Sequence, residues 1–299
     1  MLTHHQALTA FLLTNHHIVA AWYDDPVVPT KIIAIDDGIQ SQRTTSLPTE
    51  LRHLPLQQRA GSPIRILRTP VTRHAPKNAN QACQDEPIEL GTQVQPAGAN
   101  WLGTAGAPVS WIDSQNARHW GILSNWHVLA DEDQRIGRAI HQPDTGRAAF
   151  ARLSAWSEPI ETRINRVDAA VADARVDGFH TIADRILGIH DLGTKPVTAT
   201  IGLIVSKSGR TTGLTQAECI GVGASVNVSY GDFAATFEDQ DIFASDDEPF
   251  SAAGDSGSLI IATDCRCPTA LLFAGSNEIT VGNPIRHVIE AFGLVWPFN

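Results

Sequence analysis

Basic side chains are missing from one long stretch of this 299-residue chain, which has 22 basic and 32 acidic residues. No Lys or Arg lies between positions 211 and 265, whereas ten acidic residues do. The other 22 acidic residues equal the 22 basic ones in number, so the net charge of −10 originates in this stretch, which we call the acidic segment. Its sign argues against nucleic acid or an anionic membrane as a partner. It is either a solvated surface or a field that favours basic substrates.

Long apolar runs are also missing. No stretch approaches the roughly 18 uninterrupted apolar residues that a membrane-spanning helix needs. The N-terminus lacks the basic region and the small-residue cleavage site of a secretion signal. We therefore expect no membrane contact and a cytoplasmic location. The apolar fraction of 42% and the charged fraction of 18% are those of a folded protein.

Cysteine is scarce, with only Cys83, Cys219, Cys265 and Cys267 present. A single residue separates Cys265 from Cys267, which is too tight for an easy disulfide or a CxxC zinc site. We therefore expect reduced, partly buried thiols. The histidine pairs at 4–5 and 16–17 have no third ligand at a standard spacing. The sequence predicts neither a metal nor another cofactor.

Residues 1–88 differ in pattern from the rest and predict a small αβ lead-in domain whose role the sequence does not assign. Short apolar runs predict strands, and a capped stretch predicts a short helix at 46–53. The strands are expected at 16–23, 31–35 and 63–68.

A basic run lies within this region. Between positions 51 and 84 there are six basic residues and no acidic one: Arg52, Arg59, Arg65, Arg68, Arg73 and Lys77. The run is a solvated face, a contact with the acidic segment, or a site for a regulatory partner. The polar stretch 72–86 is the candidate linker.

Residues 89–299 have an all-β pattern. Short apolar runs recur at intervals of about ten residues between Gly, Pro, Asp and Asn, which is typical of a sandwich or barrel. One amphipathic helix is expected near the C-terminus, because four apolar residues follow a helical period between Pro284 and Gly293. The expected strands include 108–112, 121–125, 166–172, 197–205, 224–230, 257–263 and 270–275.

Three short blocks contain residue types suited to nucleophilic catalysis, in the order His127, Asp168, Ser256. A serine hydroxyl is a poor nucleophile until a base takes its proton, and histidine has a suitable pKa. A buried aspartate orients the imidazole and stabilises its protonated form.

The Gly-Asp-Ser-Gly turn around Ser256 suggests an oxyanion hole. Such a turn can direct the N–H groups of Gly254 and Ser256 into one small space, where they would stabilise a developing negative charge. Glycine at positions 254 and 257 permits the backbone angles and a close approach of substrate.

These blocks resemble those of the chymotrypsin-like serine proteases. SNWHVLA (124–130) is similar to the histidine motif, VDAAVA (167–172) to the aspartate motif, and GDSGS (254–258) to GDSGG, with Ser258 in place of the last glycine. The resemblance covers about residues 90–299. It implies two antiparallel β-barrels, at about 89–185 and 186–299, with His127 and Asp168 on the first and Ser256 on the second.

Further short motifs resemble those of the plant Narrow Leaf proteins and their bacterial trypsin-like relatives. They are KSGRTTGLT (207–215), LLFAGS (271–276) and a closing NPI (283–285). In the bacterial relatives a small αβ segment also precedes the protease.

The resemblance also implies a specificity pocket. Its base is usually lined by the residue six before the nucleophile, which is Phe250, and Gly275 and Ser276 are further candidates for substrate binding. Phe250 favours a shallow or apolar pocket and argues against cleavage after Lys or Arg. The acidic residues at 246–248 would reverse this if the loop had another register.

Asp255 precedes the nucleophile and, in many relatives, pairs with a new N-terminus that an activating cut releases. No such cleavage junction precedes the barrels in this sequence. We therefore expect that Arg210 or local N–H groups hold Asp255 and that activation needs no cut.

The predicted function is that of a serine endopeptidase that works through an acyl-enzyme, with a restricted set of intracellular protein substrates and a regulatory role. The alternative is a catalytically silent protease-like binding or scaffolding module, because a fold alone does not determine a function.

Overall fold

The computed structural model describes residues 3–38, 45–71, 75–113, 115–131, 133–176, 179–180 and 182–295. Helices α1, α2 and α3 span His4–Thr14, Trp126–Leu129 and Ile285–Phe292. Strands β1 to β12 span Ile18–Tyr23, Ile32–Asp36, Leu56–Ala60, Arg65–Ile66, Thr69–Pro70, Ile88–Leu90, Thr92–Pro96, Trp101–Ala105, Ala107–Ile112, Arg118–Ser124, Ala139–His141 and Ala149–Ser157. Strands β13 to β23 span Ala169–Asp173, Arg175–Val176, Phe179–His180, Ile182–Ile186, Ile204–Gly209, Gly213–Ser229, Ala234–Ala244, Leu259–Ala262, Cys267–Gly275, Thr280–Pro284 and Leu294–Val295.

Strands β17 to β22 close into a barrel. They follow the order β17-β20-β21-β22-β19-β18, and β17 also pairs with β18, so the ring has no free edge. Each of these pairings is antiparallel. Phe243, Phe250 and Ile260 belong to a buried apolar cluster of this barrel.

Strands β7 to β13 form the other barrel sheet, in the order β9-β10-β13-β12-β11-β7-β8. The C-terminal strand β23 returns to this sheet and pairs with β9, while β5 pairs with β8. Helix α3 begins after Pro284 and ends at Gly293, whose φ of 60° is the left-handed conformation of a helix C-terminus. The structure thus confirms the expected all-β fold with two antiparallel barrels and a C-terminal helix.

The N-terminal strands continue the sheet of the second barrel. β1 pairs antiparallel with β18, β2 pairs with β1, and β3 pairs with β2. Trp22 of β1 is fully buried, and its ring lies against Gly221 of β18, where an added Cβ would approach the ring to 2.7 Å. The boundary at residue 88 stays a prediction, and hydrogen bonding within the sheet extends across it.

The N-terminal region contains the expected strands at 16–23 and 31–35, but also helix α1, which the apolar pattern does not indicate. The helix has a capping box, in which the Thr3 hydroxyl accepts from the Gln6 N–H and the Gln6 side chain accepts from the Thr3 N–H. Thr-x-x-Gln is the signal that identifies this start. The helix expected at 46–53 is a single 3-10 turn, Thr49–Leu51.

Two other expectations are wrong. Cys265 and Cys267 form a disulfide, because Arg266 adopts a φ of 55° and the turn brings the two Cα atoms to 5.1 Å, within the usual range. The strand expected at 197–205 begins only at Ile204, since Gly202 has a φ of 89° and lies in a turn.

The expected linker 72–86 contains an ordered turn. Residues 72–74, including Arg73 of the basic run, lie outside the described part of the chain. After them, Asn80 is buried and donates to the carbonyl of Gly91 and to Ser208 Oγ. The second half of the stretch is therefore packed between the two barrels.

No helix in the described ranges has the length and apolar character that a membrane crossing requires. The described residues also contain no group of three or more His, Cys, Asp and Glu side chains placed to hold a metal ion.

Candidate active site

His127 and Asp168 are brought together by two neighbouring strands of the first barrel. His127 lies on the short helix that follows β10, and Asp168 immediately precedes β13, which pairs antiparallel with β10. His127 Nδ1 lies 2.6 Å from Asp168 Oδ2, and both side chains are fully buried. Because the contact uses Nδ1, the Nε2 atom of His127 is left to face a reacting group.

The Asp168 carboxylate has partners from both barrels. The Trp126 N–H donates to Oδ1 at 2.8 Å, and the hydroxyl of Tyr230, from the second barrel, donates to Oδ2 at 2.7 Å. Burial, followed by the nearby Asp168 charge, raises the pKa of Tyr230 well above its usual value, so the phenol keeps its proton. Asn283 accepts a hydrogen bond from the Asp168 N–H at 3.0 Å. No sequence motif indicates Tyr230.

The turn that contains Ser256 lies against the first barrel. Gly254 and Gly257 have φ values of 108° and 96°. A Cβ at position 257 would lie 2.2 Å from both Ser124 Oγ and the Thr104 carbonyl, so this close approach requires glycine. Ser258 replaces the glycine of the family motif without conflict, because its Oγ donates to the Asp255 carbonyl at 2.7 Å.

Asp255 is buried and already has local partners. It accepts hydrogen bonds from the N–H groups of Thr211, Thr212 and Ala252. Lys207 Nζ lies 3.5 Å from Oδ2, and burial lowers the pKa of this lysine while Asp255 partly offsets the effect. Local N–H groups therefore hold Asp255, as expected; burial lowers the pKa of Arg210 and the nearby Asp255 charge partly offsets this, but no hydrogen bond or ion pair between the two is found among the described residues.

The N–H groups of Gly254 and Ser256 converge on one oxygen, the carbonyl of Leu67. Both donate to it, the Ser256 N–H at 3.2 Å. The Leu67 N–H donates to Ser256 Oγ at 2.9 Å and also lies 3.4 Å from the Phe273 carbonyl. Both the N–H and the carbonyl of Leu67 therefore contact Ser256.

The Ser256 hydroxyl has a hydrogen-bond acceptor other than His127. It donates to the Phe273 carbonyl at 3.0 Å. His127 Nε2 is buried and has no hydrogen-bond partner among the described residues. Among the described residues, no hydrogen bond joins His127 to Ser256, so their pairing stays a prediction.

Leu67 follows β4, a short strand that pairs with β21 and β18 of the second barrel. β4 pairs antiparallel with β21, with Ile66 opposite Ala274 and Arg65 opposite Gly275. The Leu67 side chain packs against the buried cluster that includes Phe250. A Cβ on Gly275 would lie 3.1 Å from Leu67 Cδ1, so this glycine makes room for the leucine.

Phe250, Gly275 and Ser276 therefore lie in one region, and their role in substrate binding stays a prediction. Ser276 and Phe250 line a small cavity together with Ser251. The acidic residues at 246–248 are exposed and are not part of this lining. Leu67 packs against the apolar cluster that includes Phe250, whereas the cavity lining also contains polar residues such as Asn277 and Glu278.

Arg68 extends to the other side of the serine. Its guanidinium forms an ion pair with Asp131 and lies 4.5 Å from the centre of the Trp101 ring. Asp131 lies outside the acidic segment, so this arginine of the basic run contacts a different carboxylate. Strand β5 then pairs with β8 of the first barrel.

The structure thus places His127 and Asp168 in contact, and gathers Ser256 and Gly254 around one carbonyl oxygen. The catalytic and substrate-binding roles of these residues stay predictions. The sequence did not indicate the occupant of the groove, although the 63–68 run was expected to be a strand.

Comparisons with known proteins show the fold. Neither protein-family models nor curated proteins match this sequence. Among solved structures, an α-lytic protease homologue, N4, is 16% identical, with a TM-score of 0.50 over 69% of this chain and 97% of its own. A glutamic acid specific serine protease is 18% identical, with a TM-score of 0.49 over 70% of this chain and 100% of its own.

The chymotrypsin of Cellulomonas bogoriensis is 17% identical, with a TM-score of 0.48 over 71% of this chain and 99% of its own. At these identities the likeness concerns the fold, and function has to be argued from the site. The chain has the double-barrel fold of the chymotrypsin-like bacterial serine proteases.

Proposed function

We propose that this protein is a serine endopeptidase that hydrolyses peptide bonds through an acyl-enzyme. The observation that carries the proposal is the convergence of the Gly254 and Ser256 N–H groups on one carbonyl oxygen beside Ser256 Oγ, next to the buried His127–Asp168 pair. Donors fixed at the position of a developing oxyanion lower the barrier to acyl transfer, typically by about 3–4 kcal/mol each.

In the proposed mechanism the Ser256 hydroxyl turns from the Phe273 carbonyl to Nε2 of His127, which accepts its proton during attack. Asp168, fixed by the Trp126 N–H and by Tyr230, holds the imidazole through Nδ1 and stabilises its charged form. His127 then returns the proton to the leaving amine, and water hydrolyses the ester by the same steps in reverse.

The proposed substrates are proteins or peptides with an apolar residue before the cleaved bond. The packing of Leu67 against the Phe250 cluster and over Gly275 supports this preference. The acidic residues at 246–248 do not line the cavity beside Phe250, and Glu278, the carboxylate that does, is exposed and accepts hydrogen bonds from the Ser62 and Ser276 hydroxyls. The same proposal includes a regulatory role in the cytoplasm with a restricted set of protein substrates. It also includes a relationship to the Narrow Leaf-type proteins and a regulatory partner that binds residues 1–88.

A fluorophosphonate probe tests the proposal, since it forms a covalent bond only with an activated serine. Because Leu67 covers Ser256, we would label the Leu67→Asp variant beside the wild type. An aspartate at position 67 should be unfavourable in these apolar surroundings. The strand around it should therefore leave the groove and expose Ser256. Labelling that is lost in Ser256→Ala and in His127→Ala supports the enzyme. No labelling in either the wild type or Leu67→Asp would favour the silent binding module.

A further inference from the structure

Residues 64–68, which we call the cleft segment, occupy the groove between the two barrels. The segment is part of the same chain, and it covers a serine whose side chain is fully buried in the structure. Ile64 is buried and its carbonyl accepts from the Ser229 N–H at 3.0 Å, which fixes one end of the segment.

The backbone of the cleft segment is aligned as a chain to be cut would be. Its strand β4 adds antiparallel to β21, and the next residue, Leu67, directs its N–H to the Phe273 carbonyl. The Leu67 carbonyl accepts from both N–H groups of the proposed oxyanion hole. The Leu67 N–H also donates to Ser256 Oγ at 2.9 Å, so among the described contacts of the segment it is Leu67 whose backbone lies at the serine.

The side chains on both sides of the Leu67–Arg68 bond are also held. Leu67 fills the apolar region beside Phe250 and Gly275. Arg68 is held by the Asp131 carboxylate and by the face of Trp101, with a cation–π distance of 4.5 Å. The bond between them therefore lies at the serine with a defined residue on each side.

The geometry points to the Leu67–Arg68 peptide bond as a site of self-cleavage, cut by Ser256 of the same molecule. This inference rests on the proposed function. Ser256 Oγ forms an ester bond with the Leu67 carbonyl carbon, and His127 Nε2 accepts the hydroxyl proton. The C–N bond to Arg68 breaks as the proton passes to the departing nitrogen. Water then cleaves the ester, which leaves a carboxylate on Leu67, a free amine on Arg68 and an unchanged Ser256.

The reaction is intramolecular because the segment is anchored on both sides. Upstream, β1 pairs with β18; downstream, β5 pairs with β8 and the Val71 N–H donates to the Asn100 carbonyl at 2.9 Å. Holding the two reacting groups together makes the step first order. The fraction cut per unit time is therefore independent of protein concentration.

The two products stay associated after the cut. The upstream fragment retains β1 in the sheet of the second barrel, with Trp22 buried against Gly221. The cut is therefore visible on denaturing separation and in the intact mass, while the native particle keeps its size.

The test uses the full chain as wild type, Ser256→Ala, Leu67→Asp and Leu13→Asp. Leu13 is 47% exposed on α1, so its substitution is the matched control. We expect the wild type and Leu13→Asp to give fragments that end at Leu67 and begin at Arg68, at a rate unchanged by tenfold dilution. Ser256→Ala should remain one chain, also when mixed with wild type, and Leu67→Asp should be cut at least tenfold more slowly.

Three results would overturn the inference: a wild type that remains one chain although the fluorophosphonate probe labels either it or Leu67→Asp, a cut at another bond, or cleavage of Ser256→Ala by added wild type. Each of them leaves the proposed endopeptidase intact. If neither the wild type nor Leu67→Asp is labelled, the proposed function itself fails.

Discussion

Asp168 has hydrogen-bond partners both inside and outside the recognisable motifs. Three of its hydrogen bonds come from groups on both barrels: the Trp126 N–H, the Tyr230 hydroxyl and the side-chain carbonyl of Asn283, which accepts from the Asp168 N–H. The block VDAAVA indicates the aspartate, whereas Tyr230 is 62 residues away in sequence and has no motif of its own. Only the packing of the two barrels brings this hydroxyl to the carboxylate.

Removing the Tyr230 hydroxyl should impair catalysis more than binding. Tyr230→Phe deletes a hydrogen bond to a buried carboxylate that orients His127, a loss of about 1.5–3 kcal/mol for a charged acceptor. We expect kcat for a leucine-containing peptide to fall about tenfold, with KM nearly unchanged. Kinetics in the Leu67→Asp background, where the groove is open, measure this effect.

Tyr23→Phe is the control, because Tyr23 is the only other tyrosine and lies on β1. If Tyr230→Phe raised KM and left kcat unchanged, the hydroxyl would not position the catalytic pair.

At the scale of elements, β18 connects the parts of the molecule. It is 17 residues long and pairs with β17 and β19 inside the barrel and with β1 outside it. The alternating pattern of 224–230 predicts a strand there, but a pattern cannot show that a strand from the N-terminal region adds to it. Edge pairing depends on which unpaired backbone groups meet in space, and these are not encoded in local spacing.

Because of this pairing, the N-terminal strands and the second barrel should unfold together. Trp22→Ala leaves a cavity at Gly221 and should cost about 3–5 kcal/mol, which lowers the midpoint of thermal unfolding by about 10 °C. Val28→Ala, at an exposed position in the same region, is the control.

Circular dichroism and intrinsic fluorescence should report one shared transition in both variants. A separate early transition, with the main midpoint unchanged, would show that the N-terminal region folds independently.

At the scale of the whole molecule, part of the negative charge of the acidic segment is neutralised by basic residues from elsewhere in the chain. Bases outside the segment lie within ion-pair distance of three of its acids: Arg166 with Glu238, Arg286 with Asp239, and Lys207 with Asp255. Asp239 also accepts a hydrogen bond from His287. Burial raises the pKa of Asp239, but its hydrogen bonds with His287 and Arg286 outweigh this effect and lower the pKa to about 2. The remaining field is therefore weaker than ten clustered charges would produce.

Asp241 differs from the other acids of the segment. It is 1% exposed, and its Oδ2 has no hydrogen-bond partner among the described residues. Burial, with a further contribution from Asp239 and against the effect of Arg286, raises its pKa from 3.8 to about 8. Near neutral pH the carboxyl is protonated in the folded protein and ionised in the unfolded chain.

Folding stability should therefore fall as the pH rises from about 4 to about 8. In this window the folded state binds one more proton than the unfolded state at Asp241, so this group lowers the free energy of unfolding by about 1.4 kcal/mol per pH unit. Below pH 4 its contribution is fully present, and it is lost by about pH 8.

Urea unfolding of wild type and Asp241→Asn across this range measures the effect, and the variant should remove this component of the slope. Asp246→Asn removes a charge at an exposed position and should leave the slope unchanged. Equal slopes in wild type and Asp241→Asn would contradict the raised pKa.

The sequence by itself determined the all-β class, the C-terminal helix, and the three blocks with His127, Asp168 and Ser256. Strand periodicity, helix capping and the chemistry of a nucleophile with its base are local, so they can be read from spacing. The apolar pocket inferred from Phe250 stays a prediction. The sequence did not reveal α1, whose capping box is present, nor the Cys265–Cys267 disulfide, which depends on the left-handed turn at Arg266.

Only the tertiary structure decided what lies in the groove. The run PIRILR has the pattern of an ordinary strand, and its neighbours in space, Ser256 and Phe273, are about 190 and 205 residues away in sequence. Which edge a short strand joins depends on the free backbone donors and acceptors of a barrel that the rest of the chain must build first. The contact of Leu67 with the Ser256 turn, and with it the self-cleavage that we propose, follows from that assembly and not from any motif.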